Sequence, residues 1–78
     1  MTKLVNDTVT PISPGNHTLT YTMTAGTAKL TYSVDGKPFV DVPNTDKTAT
    51  TGITVRLPSC QVVAVLTGDA ELSINRAD

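Results

Sequence analysis

From His17 onward the chain alternates. Leu19, Tyr21 and Met23 are separated by Thr18, Thr20, Thr22 and Thr24; after a break at Ala25-Gly26, Ala28, Leu30, Tyr32 and Val34 stand between Thr27, Lys29, Thr31 and Ser33. A period of two sends successive side chains to opposite faces of a strand, so each run predicts a strand with one buried face. The two runs are read as an antiparallel pair. Asp35-Gly36 signals a hairpin, because glycine supplies the positive φ of a tight turn, and Phe39 to Val42 is the expected return strand. Ile53, Val55 and Leu57 share one face of a further strand. Cys60 to Leu66 is nearly all apolar and is expected to be the most buried strand. Thr67-Gly68-Asp69 turns the chain, and Leu72 and Ile74 point inward on the last strand.

The first sixteen residues are less regular. Lys3 to Thr10 could form a short strand, but Pro11, Ser13, Pro14 and Gly15 interrupt it. Residues 1–16 are therefore read as an N-terminal arm or edge strand, and 17–78 as a single β domain. No segment has the 3.6-residue period of an amphipathic helix. The expected fold is all-β: a small antiparallel sandwich or barrel of six to seven strands, with no significant helix.

Composition sharpens this reading. Fifteen of the 78 residues are threonine, a β-branched residue suited to a half-exposed pleated surface. Six Lys and Arg balance seven Asp and Glu, so no basic stripe is available for phosphates and nucleic acid is not an expected partner. No apolar run is long enough for a bilayer-spanning helix or a secretory signal, and no membrane association is expected. Synthesis in a reducing cytoplasm fits the single cysteine. A chain this short buries only roughly 60 % of its unfolded surface. With one cysteine and one histidine, neither a disulfide within the chain nor a zinc quartet can staple it. Oligomerisation is the remaining source of stability, and a homo-oligomer is expected, with a trimer favoured.

Candidate chemistry is sparse. His17 is the single neutral-pH general base, and a plain exposed histidine at the start of a strand is the preferred reading. Cys60 opens the most apolar strand without a cationic neighbour, which describes a buried structural thiol. Asp35 and Asp69 fall in turns, and Asp41 alternates with Val40 and Val42 toward solvent. Asn6-Asp7-Thr8 and Asn16-His17-Thr18 match the glycosylation pattern by chance in a Thr-rich chain. No catalytic residue, metal site or cofactor is expected, and the chain is read as a non-enzyme.

Three segments resemble a known group: Tyr32-Ser33-Val34-Asp35-Gly36-Lys37-Pro38-Phe39-Val40-Asp41-Val42, Thr51-Gly52-Ile53-Thr54-Val55-Arg56-Leu57-Pro58-Ser59-Cys60, and Ala64-Val65-Leu66-Thr67-Gly68-Asp69-Ala70-Glu71-Leu72. Together they resemble the short, Thr-rich virion structural proteins of tailed bacteriophages, over roughly residues 25–74. The resemblance implies a virion component without catalytic residues, in first place a capsid decoration (cement) protein whose partner is the major capsid protein or another virion protein. The apolar residues of the N-terminal segment, Leu4, Val5, Val9 and Ile12, are the candidate partner-binding residues, docking by strand addition. On that reading, removing residues 1–10 abolishes shell binding and leaves the β fold intact. A tail or fibre module and a small carbohydrate- or protein-binding module stay open, although the absence of tryptophan argues against sugar stacking.

Overall fold

The computed structural model describes residues 2–77. They form eight strands and no helix: β1 (Thr2–Leu4), β2 (Thr10–Ile12), β3 (Gly15–Thr22), β4 (Gly26–Ser33), β5 (Val40–Asp41), β6 (Thr51–Leu57), β7 (Cys60–Gly68) and β8 (Glu71–Arg76). Two four-stranded sheets, ordered β1-β8-β3-β6 and β2-β7-β4-β5, pack over a shared core, and every strand pairing within them is antiparallel. The all-β sandwich expected from the alternation is present, with eight strands in place of six to seven. The difference lies in the N-terminal segment, where the one short strand allowed over Lys3 to Thr10 is instead two three-residue strands, β1 and β2, one in each sheet.

The strands β3 and β4 do not pair with each other, contrary to the sequence reading. β3 lies between β6 and β8, and β4 between β5 and β7. What resembles a hairpin is one strand turning a corner from sheet to sheet. The register explains how. β2 and β7 pair from Thr10↔Val62 to Ile12↔Cys60, and β3 and β6 from Gly15↔Leu57 to Tyr21↔Thr51. Each chain advances three residues between the two ladders, so they are one ribbon in one register. Continuing it through the gap places Pro14 opposite Pro58. Neither ring nitrogen can donate a ladder hydrogen bond, so pairing lapses there and the ribbon folds over.

A second ribbon bends at the other end. β3 and β8 pair as far as Thr22↔Glu71, and β4 and β7 resume at Gly26↔Gly68. Four steps on one strand oppose three on the other, which is a bulge, and bulges bend strands. The Asp69 carboxylate fills the gap, accepting the Thr24 N–H and the Ala25 N–H at 3.0 Å. Gly68 has φ +64°, and a Cβ there would run into the Ala25 carbonyl oxygen. Both close approach and positive φ require glycine at this corner.

The core takes the inward face of each sheet, with Leu19, Tyr21, Leu30, Val62 and Leu72 fully buried. Leu72 and Ile74 point inward, as the last strand's alternation predicts. β7 is not the most buried strand: Cys60, Val62 and Ala64 are buried, but Val63, Val65 and Leu66 are only half-buried. β4 buries four residues, Ala28, Leu30, Thr31 and Ser33. An antiparallel sheet can leave one face toward water, so an apolar run does not by itself imply burial on both sides.

Several threonines act as backbone partners rather than as surface hydroxyls. Thr45, 1 % exposed, accepts the Leu30 N–H at 3.1 Å and donates to the Val42 carbonyl at 2.7 Å. Thr50 accepts from the Met23 N–H at 3.1 Å and sits 3.0 Å from its carbonyl, prolonging the β3–β6 ladder by one step. With Val42, which donates to the Leu30 carbonyl, and Lys47, bridged to Ala28, Thr45 closes the edge of β4 where the two-residue β5 stops.

Candidate interaction surface

The titratable groups serve the fold. His17 is 5 % exposed, not at the surface as its loop-like neighbours suggest. Its Nε2 lies 2.8 Å from the Ser13 carbonyl oxygen. A carbonyl only accepts, so Nε2 carries the proton and the ring ties β3 to the segment before the proline corner. Cys60 is buried, and that burial pushes its thiol above the ordinary value, away from a reactive thiolate. Burial, with the negative charge of Asp46 adding to it, pushes Tyr21 up to about 12, and its hydroxyl donates to the Thr45 carbonyl at 2.7 Å. Hydrogen bonds from the Ala25 and Thr24 backbone hold Asp69 below the ordinary carboxylate range. Asp41 is exposed, as expected, and pairs with Lys29 at 3.3 Å. Among the described residues no three His, Cys, Asp or Glu side chains converge as a metal site.

Surface apolar groups are more informative. Asp35 (φ 56°) and Gly36 (φ 73°) form a tight turn closed by the Lys37 N–H on the Val34 carbonyl, where the sequence places a hairpin. The turn joins Val34 to Lys37, yet β4 and β5 pair as Tyr32↔Val40, so the return side carries one extra residue. Pro38 lacks an N–H, and the Ser33 hydroxyl bonds the Lys37 carbonyl beside it. The bulge shortens the expected return strand, residues 39–42, to Val40–Asp41 and turns Phe39 outward, 41 % exposed. Val40 is 53 % exposed. Tyr32, Val34, Lys37, Pro38 and Val40 line a shallow, mostly carbon depression of about 320 Å³.

A second apolar site lies on the N-terminal segment. Between β1 and β2 the chain turns with Asp7 at φ 59°, and the Thr8 N–H bonds the Val5 carbonyl. Asn6 docks this turn on β7: its side-chain oxygen accepts the Leu66 N–H at 2.9 Å, and the Asp7 N–H donates to the Ala64 carbonyl at 3.1 Å. Val5 and Val9 are left 61 % and 49 % exposed.

The four residues singled out in the sequence thus separate. Val5 and Val9 are at the surface. Leu4, 2 % exposed, is a core residue held by β1–β8 pairing, and Ile12 packs half-buried against the core. Leu4 therefore has no free face for a partner, whereas Ile12 packs on the core with one side and lines an open depression with the other. Phe39 and Val40 escaped the sequence reading because a strand after a hairpin normally hides alternate residues; Pro38, which cannot join a ladder, was the signal. Comparison of the chain with protein-family models, curated proteins and solved structures finds no match.

Proposed function

We propose that this chain is a non-enzymatic structural protein of a tailed-bacteriophage virion, a capsid decoration (cement) protein made in the host cytoplasm and bound to the head shell as a homo-oligomer. The observation that carries the reading is the set of exposed apolar side chains at two places, Val5 and Val9 flanking the N-terminal turn and Phe39 and Val40 on the return side of the hairpin, on a frame whose buried polar side-chain atoms are all hydrogen-bonded among the described residues. Apolar groups held outward by a docked turn and a bulge are pre-ordered for contact, so little entropy is lost on binding. The residue-level resemblance to small virion proteins names the partner class. One of its three segments spans the β4–β5 hairpin that carries Phe39 and Val40. A shell presents many equivalent positions, so weak contacts per subunit sum in an oligomer.

Co-sedimentation with shells purified free of the chain tests the reading. Saturable binding is expected, and Val5→Asp and Phe39→Asp are each expected to weaken it at least about tenfold, the equivalent of ~1.4 kcal/mol, with an unchanged β signal in circular dichroism. Binding by isolated tails but not by shells would move the chain to the tail-or-fibre reading. Binding that neither substitution weakens would remove these two sites from the account.

A further inference from the structure

Three of the four edge strands are short: β1 and β2 have three residues each and β5 has two. Pro11 also lies within β2. Short edges and prolines are the usual protection against edge-to-edge pairing. β6 has neither. It runs seven residues from Thr51 to Leu57 with β3 as its one neighbour, carries no proline, and has Arg56 as its single charge. Its partners across the ladder, buried Leu19 and His17 opposite Ile53 and Val55, show which face points inward. Ile53 and Val55 pack against the core but stay half-buried, because the sheet ends beside them.

We infer that β6 is a self-pairing edge, joining two copies of this chain antiparallel about a two-fold axis through Thr54. Directly opposite residues in an antiparallel pair lie on the same face. An axis at Thr54 keeps inward residues opposite inward ones and uses all seven residues. Ile53 of each copy then faces Val55 of the other, extending both cores across the joint. Thr54 faces itself, a favourable threonine pair. Arg56 falls opposite Gly52, which has no side chain and where even an added Cβ would meet nothing closer than the Leu19 carbonyl oxygen at 3.7 Å. The two Arg56 positions end four residues apart, about 13 Å along the strands, beyond the ~8–10 Å over which salt leaves exposed charges interacting. Moving the axis to Val55 would halve that separation; moving it to Arg56 would set the two arginines face to face. One seven-residue ladder is smaller than a standard permanent interface, so the dimer is a reversible one in the micromolar range. This inference does not depend on the virion role.

Sedimentation velocity of the intact chain from about 1 µM to about 500 µM is the test. The mass is expected to rise from 8.2 kDa toward twice that value. Thr54→Asp, like Thr54→Lys, sets two like charges opposite each other and is expected to weaken the dimer at least tenfold. Mixing the two variants is expected to restore it as a heterodimer. Arg56→Glu, facing glycine, is expected to change it less than threefold. A wild-type chain that stays at one copy over this range, or that forms a trimer, overturns the proposal. So does Thr54→Asp dimerising as tightly as the wild type.

Discussion

Thr45 stands in a run of turn residues, Pro43 to Lys47, and nothing about its neighbours marks it as interior. Its place in the core follows from a partner fifteen positions away, the backbone of Leu30. Replacing it by valine keeps the shape but leaves the Leu30 N–H and the Val42 carbonyl without their partner, at a cost of about 1–3 kcal/mol. The denaturation midpoint is expected to fall with an unchanged slope, whereas the same change at exposed Thr48 is expected to stay within about 0.5 kcal/mol. Asp69 gives a pH-dependent counterpart. Its folded-state value lies below the unfolded 3.8, so its contribution is complete above that pH and is lost as pH falls through the lower folded value. Tyr21 acts at the other extreme: with a value raised from 10.0 to about 12, it favours the fold below pH 10 and loses that contribution as pH rises toward 12. Thermal midpoints followed into acid are expected to show the first effect in the wild type and a flatter profile in Asp69→Asn.

At the level of elements, alternation identified which residues face inward along β3, β6 and β8, because a half-buried strand advertises its own two faces; on β4 it held only through Leu30, since Thr31 and Ser33 are buried while Tyr32 and Val34 are half-buried. It could not say which strand lies beside which. Pairing depends on residues far apart in sequence, above all on Pro14 meeting Pro58 across one ribbon and on Asp69 filling the bulge opposite Met23 to Ala25. Read singly, each of these is a turn signal, and consecutive strands then resemble hairpins; read as facing pairs, they are corners. The Asp35-Gly36 hairpin was legible because its turn is local. His17 was legible in part: it stands two residues before Leu19 on the inward face, but the loop-like Pro14-Gly15-Asn16 before it suggested exposure, and its partner, the backbone oxygen of Ser13, leaves no trace in side-chain type. The N-terminal segment shows the same limit. β1 is pinned to β8, so removing residues 1–10 strips Leu4 from the core, and loss of shell binding by that truncation would not isolate a docking arm. Point substitutions do: Leu4→Ala is expected to cost about 2–5 kcal/mol in chemical denaturation, and Val5→Ser less than about 0.5 kcal/mol.

As a whole molecule the chain is tightly folded, with a radius of gyration of 11.4 Å. Compact chains of this length have about 11.5 Å, so the described chain has the compactness ordinary for its size. The core is small nonetheless, and apolar side chains remain outside it at two sites and along one long strand edge. Contacts with further copies or with a shell would cover them, and anything that binds only the folded form adds to its stability. The thermal midpoint is therefore expected to rise with protein concentration. Counting copies of the chain in purified particles, against the main shell subunit, tests the structural role most directly. A fixed ratio near the number of equivalent shell positions is the result this account predicts; absence from intact particles of a chain abundant in the infected cell would contradict it.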